Sequence, residues 1–192
     1  IINIGGGTTE LSIISVGGAV VYKSIKIAGE RLNEDIARYI KSEHKLLIGE
    51  PSAEALKITV GSAIPLEERL EMPIRGRDLS SGLPKEVIVK NNQIRTAIKR
   101  SLKAIAETTK KLLEESPPEL VGDVYERGIY LTGGGALLRG VDKYLEKELA
   151  VHVNLVDDPL TCVVRGLGII IEDLPRYSTI LSNQQKPRLV NL

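Results

Sequence analysis

At 192 residues the chain is long enough for one sizeable core, or for two small lobes that share one. Its 26 Lys and Arg against 25 Asp and Glu leave a net charge of +1, without the basic surplus of a phosphate-backbone binder, so no nucleic-acid partner is expected. The single cysteine, Cys162, excludes an internal disulfide and suits a reducing cytoplasm. No apolar run approaches the ~20 residues that cross a bilayer, and no basic stretch precedes an apolar one as in a secretory leader.

In chain order, residues 1–4 read as a short apolar strand broken by Gly5-Gly6-Gly7. Residues 8–15 and 19–27 read as two more strands, with Gly17-Gly18 as the turn between them, so the chain opens as an antiparallel meander. After Gly29, the spacing of Leu32, Ile36, Tyr39 and Ile40 predicts a helix that fades into the polar stretch 42–45. Ser52 is the expected N-cap of a second helix with Leu56, Val60 and Ala63 on one face. LEMPIRG and KEVIVK read as strands separated by the turn-rich RDLSSGLP.

From Ile94, a long helix is expected with Ile98, Leu102, Ile105 and Leu112 on one face, stopped by Pro117-Pro118. Ser116 and Glu119 have capping-box spacing for a short helix after it. Residues 129–132 read as a strand, running through Gly133-Gly134-Gly135 into a helix that carries Leu137, Leu138, Val141, Tyr144 and Leu145. Residues 151–156 form the last predicted strand, and Asp158-Pro159 starts a final helix to about Glu172, with Cys162 as a small core residue. The polar, basic tail 175–192 is expected to be loose. The order implies an α/β lobe, 1–40 plus 94–174, interrupted by a small α+β insert over 41–93.

The two glycine triplets carry the chemical signal. Consecutive backbone N–H groups in a Gly-rich turn can cradle a phosphate, and a helix N-terminus adds partial positive charge. Thr8 adds a hydroxyl after the first triplet. Either triplet alone is equally read as a tight turn. Neither continues into the Lys of a P-loop, and no dinucleotide-binding βαβ unit surrounds the second. Glu54 and Lys57 share a helix face, where both can meet a ribose and base or form a plain surface ion pair. His44 and His152 lack ligand-spaced neighbours, so no direct metal ligand is expected.

Taken together, NIGGGTTE, an E-x-x-K helix, LTGGGALL and DPLTCVVRGLG resemble the second half of the actin–DnaK–sugar kinase ATPase superfamily, whose lobe is a ribonuclease H-like mixed sheet flanked by helices. GERLNEDI, RGRDLSSGLP, PPEL and ERGIYLTGGGALLRG resemble the MreB-type bacterial actins specifically, over roughly residues 1–170. The resemblance implies ATP, with Gly5, Gly6, Gly7 and Thr8 at the β- and γ-phosphates and Gly29 and Glu30 by the ribose. It places Glu54 and Lys57 beside the ribose and adenine, Gly133, Gly134, Gly135 and Ala136 under the α-phosphate and adenosine, and Gly166 in close packing at a hinge. Asn3 stands where the family usually has an Asp that helps hold Mg2+, which implies weaker metal binding or hydrolysis.

On this reading the chain is the C-terminal half of a cytoskeletal filament protein that acts in cell shape and wall elongation. Half a cleft is expected to be a poor ATPase or none. The family further implies self-assembly, the membrane adaptor RodZ, the elongation machinery, and a cytoplasmic place at the inner face of the membrane with only peripheral contact. A DnaK-like chaperone would need a substrate domain after residue 174, a sugar kinase lacks its sugar-site signature here, and a non-polymerising scaffold gains weight from Asn3.

Overall fold

The structure, a computed structural model, describes residues 1–15 and 18–182. Alternation builds its first sheet. β1 (Ile2–Ile4) and β2 (Thr9–Ser15) bury Ile2, Ile4, Leu11 and Ile13 on one face, because successive strand residues point to opposite sides. β2 pairs antiparallel with β1 and with β3 (Gly18–Ile25). On its other edge β1 runs parallel to β7 (Ile129–Thr132), and β7 parallel to β8 (Val153–Leu155). The result is a mixed sheet, as the resemblance implied, and its strand order is β3-β2-β1-β7-β8. Gly18 opens β3, while Gly17 lies outside the described residues.

Two amphipathic helices cover this sheet. α1 (Gly29–His44) buries Leu32, Ile36 and Ile40, and α3 (Asn91–Glu114) buries Ile94, Ile98, Leu102, Ile105 and Leu112. α1 holds to His44 instead of fading, and Lys45, at φ 53°, closes it. α3 starts at Asn91, ahead of its first apolar residue, because the Gln93 side chain accepts the Lys90 backbone N–H at 2.9 Å. Between them, β4 (Leu46–Leu47), α2 (Glu50–Val60), β5 (Glu71–Asp78) and β6 (Pro84–Lys90) make a second, antiparallel sheet in the order β4-β5-β6. Gly49, not Ser52, takes the N-cap position of α2, and Ala63 is buried beyond that helix's end.

α4 (Pro118–Arg127) begins without a side-chain cap. Ser116 belongs to the helix before it: its hydroxyl donates to the Leu112 carbonyl at 2.6 Å and so closes α3. The second glycine triplet does not enter an α-helix directly. It forms a 3-10 turn, Gly134–Leu137, and α5 (Val141–Leu149) starts after it. Asp158, at φ 47°, and Thr161 form a turn through their side chains, so α6 (Cys162–Glu172) starts later than Asp158-Pro159 suggested.

α6 also overturns the reading of Cys162 as a core residue. That cysteine is only partly covered, and its neighbours Val163 and Val164 are 52% and 63% exposed. None of the eleven residues of α6 is buried, although most are apolar. The tail is not loose at its start, where α7 (Leu174–Ser182) continues the helical path. Residues 183–192, with Lys186 and Arg188, lie outside the described part.

Candidate functional site

The central parallel pair sets the site. Asn3 of β1 lies beside Thr132 of β7, so the carboxyl ends of both strands open on the same side. From there the chain departs in opposite directions, back along β2 and over to α5. Ligands of open α/β sheets sit outside such diverging strand ends. Each of the two strands ends in a glycine triplet.

The first triplet is held as a turn by Gly5 N–H, which donates to Thr8 O at 2.9 Å. The N-terminus of α1 docks on it: Gly29 N–H donates to Gly5 O at 3.1 Å and Glu30 N–H to Gly6 O at 2.8 Å. The Glu30 carboxylate lies 3.6–3.7 Å from where a Cβ on Gly6 or Gly7 would stand. Among the described residues, the N–H groups of Gly6 and Gly7 find no backbone acceptor. Thr8 is exposed, whereas Thr9 is buried and donates to Ile27 O at 2.6 Å, which ties the turn to the end of β3.

Lys57 reaches this turn from α2. Its Nζ donates to Gly29 O at 3.2 Å and lies 3.9 Å from Glu54 Oε1. The Lys57 side chain is 15% exposed and that of Glu54 53%, so the lysine faces the turn and the glutamate stands at its rim. Burial lowers the pKa of the Lys57 ammonium below its ordinary value, while Glu54 and Glu50 pull the other way more weakly.

The second triplet packs against the end of β1. Gly133 has φ +85°, and a Cβ there would lie 2.5 Å from Asn3 Oδ1 and 2.7 Å from the Ile4 carbonyl carbon. A Cβ on Gly135 would lie 2.7 Å from Ile4 Cβ. Gly133 N–H donates to Pro159 O at 3.0 Å, and Ala136, buried beneath, donates to Gly133 O at 3.0 Å. A Cβ on Gly134 would meet the Leu160 side chain at 3.2 Å.

The fold thus brings Gly5, Gly6, Gly7, Gly29, Glu30 and Lys57 to one side of the strand ends and Gly133, Gly135 and Ala136 to the other. Gly166 stays apart: a Cβ there would meet nothing within 4 Å among the described residues. The histidines do not converge either. His44 meets Gln93 at 3.0 Å and His152 meets Glu146 at 2.5 Å. No group of three His, Cys, Asp or Glu residues suited to a metal occurs among the described residues.

Sequence reasoning missed two contributors. Glu10 lies across the β1–β2 register from Asn3, whose amide donates to Glu10 Oε2 at 3.3 Å. Arg139 donates to Ile58 O at 2.7 Å and fastens the end of α2 to the segment after the second triplet. Alternation after Thr8 hints at Glu10, but only the strand register puts it opposite Asn3. Nothing local marks Arg139.

The model of the MreB/Mbl protein family matches residues 1–179. The cell shape-determining protein Mbl of Bacillus subtilis (strain 168) is 43% identical over 176 residues, which cover 92% of this chain and 53% of the relative. The cell shape-determining protein MreB of Escherichia coli (strain K12) is 41% identical over 185 residues, 96% of this chain and 53% of the relative. The crystal structure of MreB5 of Spiroplasma citri bound to ADP superposes with a TM-score of 0.89 at 40% identity, covering 93% of this chain and 54% of that one. The MamK double helical filament superposes with a TM-score of 0.73 at 25% identity, over 91% and 54%. The fold is therefore actin-like, and the chain spans about half the length of the curated relatives it matches. With its family match running almost end to end over the same sheet and glycine turns, this chain belongs to the MreB/Mbl family.

Proposed function

We propose that this chain is the second half of an MreB-type actin that, complete, binds ATP with Mg2+ and assembles into filaments that shape the cell from the inner face of its membrane. The observation that carries the reading is the meeting of two glycine turns at adjacent strand ends, with open amides and a largely buried lysine beside them. These residues fit a nucleotide. The amides of Gly6 and Gly7 suit phosphate oxygens, and Gly133, at φ 85° and packed on Asn3 and Ile4, seats the second turn against the end of β1. MreB5 bound to ADP and to AMPPNP, and the MamK filament, support nucleotide binding and self-association. The relatives' names support a role in cell shape, and wall elongation with the membrane adaptor RodZ enters the proposal only through the family resemblance.

Within this reading Gly5, Gly6, Gly7 and Thr8 hold the terminal phosphates, Gly29 and Glu30 border the ribose, and Glu54 and Lys57 flank the ribose and adenine. Gly133, Gly134, Gly135 and Ala136 floor the α-phosphate and adenosine. When bound, ATP supplies a phosphoanhydride whose cleavage changes the charge these groups face. We assign residues 1–40 with 94–174 to one subdomain and 41–93 to an inserted one. The exposed apolar surface of α6, where Leu167 is 52% and Ile171 68% exposed, is the face against which the other half of the complete protein packs.

Sedimentation of the complete protein tests the assignment. ATP is expected to bring it into the pellet, and ADP to do so less. Binding without any sedimentation favours the non-polymerising scaffold that Asn3 suggests, and no nucleotide binding at all rejects the reading.

Asn3 and Glu10 fit a Mg2+ held largely through water and phosphate, since they offer an amide oxygen and one carboxylate. Asn3→Asp puts two carboxylates across one strand pair, where like charges cost roughly 0.2–1 kcal/mol. The variant is expected to melt below the parent without metal, to recover on adding Mg2+ with ADP, and to need several-fold less Mg2+ for half-maximal nucleotide binding. An unchanged Mg2+ requirement rules out a metal role for position 3.

A further inference from the structure

Away from the strand ends, α1 and α3 part to leave a groove of about 700 Å3 beneath the end of β3. Six cations line it: Lys26, Arg31, Arg38, Arg100, Lys103 and Lys111. Only two carboxylates, Asp35 and Glu107, lie among them, so a chain of net charge +1 concentrates its positive charge here. Arg31 is engaged by Glu34 at 3.0 Å, Arg38 by Asp35 at 3.3 Å and Lys103 by Glu107 at 3.4 Å. Among the described residues, Lys26, Arg100 and Lys111 have no carboxylate within 4.0 Å.

The helix register makes this an extended site. Arg100, Lys103 and Lys111, with Ala104 and Glu107 between them, recur at three- and four-residue spacing and form one stripe of α3. At 1.5 Å rise per residue the stripe is roughly 16 Å long, the reach of about five residues of extended peptide at ~3.3 Å each. The floor is narrow and mixed. Ser101 bonds the Asp35 carboxylate, Thr108 donates to Ala104 O at 2.8 Å, and buried Ile25 lies beside them.

We propose that the groove between α1 and α3 docks an acidic, extended segment of a partner polypeptide, with carboxylates at alternate positions meeting Lys26, Arg100 and Lys111 and small side chains facing the floor. Charge complementarity along a recess selects this occupant. A flat anionic bilayer cannot reach a concave floor, and of the large apolar side chains in the lining Ile25 is buried and Ile27 half-buried, with no aromatic one beside them to enter a membrane. A nucleic-acid strand would lack aromatic faces to stack on. Because the cations are mostly exposed, the contact is salt-sensitive.

Fluorescence anisotropy on the complete protein, without nucleotide, tests this with a labelled short peptide of alternating Glu and Ala and its Lys-for-Glu counterpart. The acidic peptide is expected to bind and its counterpart not. Arg100→Glu with Lys111→Glu should weaken binding at least about tenfold, while Lys41→Glu with Lys99→Glu, an equal charge change outside the groove, changes it less than about twofold. ADP binding should be the same in all forms. If the reversal unfolds the protein, Arg100→Gln with Lys111→Gln replaces it, and hydrogen-exchange protection of α1 and α3 by the peptide in the parent gives a second readout. Equal weakening by both double variants, or no binding by the acidic peptide, overturns the proposal. So does Arg100- and Lys111-dependent binding to vesicles of roughly 30% anionic lipid that exceeds binding to the peptide.

Discussion

Gly133→Ala is expected to lower the unfolding free energy by about 2–4 kcal/mol, and Gly135→Ala by about 1–3 kcal/mol, read as the urea midpoint at constant slope. Two costs add at Gly133. Its backbone, at φ 85° and ψ 168°, lies in a region that residues with a Cβ scarcely enter. A methyl there would also stand 2.5 Å from Asn3 Oδ1 and 2.7 Å from the Ile4 carbonyl carbon, where strand pairing leaves the backbone little room to yield. At Gly135 the obstacle is Ile4 itself, 1% exposed and stiff at its branched Cβ. The methyl would be 2.7 Å from that carbon.

Nucleotide affinity should fall at least about tenfold in both variants, because the displaced turn no longer presents its backbone at the strand end. Gly166→Ala is the control. With nothing within 4 Å of its Cβ, inside α6, it should stabilise the described chain by roughly 0.5–1 kcal/mol. In the complete protein the same change should be costly only if another part of the molecule closes on that helix. A Gly133→Ala variant that melts and binds like its parent removes the second triplet from the site.

These contacts also show what sequence reading can and cannot reach. The strands were legible because Ile2, Ile4, Leu11 and Ile13 alternate, and α1 and α3 because their apolar residues recur at helical spacing. Both are local signals. Lys57 was singled out, but its partner, the Gly29 carbonyl, lies 28 residues away and depends on how α2 docks on α1. Ser116 misled for the opposite reason: a serine three residues before a glutamate looks like a cap, yet its hydroxyl had a nearer acceptor behind it, at Leu112. At α6 the pattern was apolar and burial was inferred, but apolar periodicity states that a surface needs covering and does not say which polypeptide covers it.

Lys57→Met is expected to separate function from stability. The substitution keeps the length and much of the apolar stem but removes the ammonium, so the Gly29 carbonyl loses a donor at 3.2 Å and Glu54 a distant partner at 3.9 Å. It also removes a cation that burial disfavours. The two effects oppose each other, and the midpoint of urea unfolding at neutral pH should be unchanged or higher. Nucleotide affinity should fall about tenfold to a hundredfold, the equivalent of one charge-assisted hydrogen bond of roughly 1.5–3 kcal/mol.

The pH dependence carries a definite sign. The folded-state pKa of Lys57 lies below its ordinary value of 10.5. Between the two, the unfolded chain holds more protons than the folded one, so this group adds stability as pH rises. The parent should therefore gain on Lys57→Met in the alkaline range below 10.5. Over the same range its nucleotide affinity should drop as the ammonium is lost, while that of the variant stays level. Urea midpoints and ADP titrations at neutral pH and at about pH 9.5 measure both trends. An affinity untouched by Lys57→Met would mean that the lysine only braces the Gly29 turn. A buried cation that weakens the fold while contributing nothing to binding would then have no account in this site, and the nucleotide assignment would rest on the glycine turns alone.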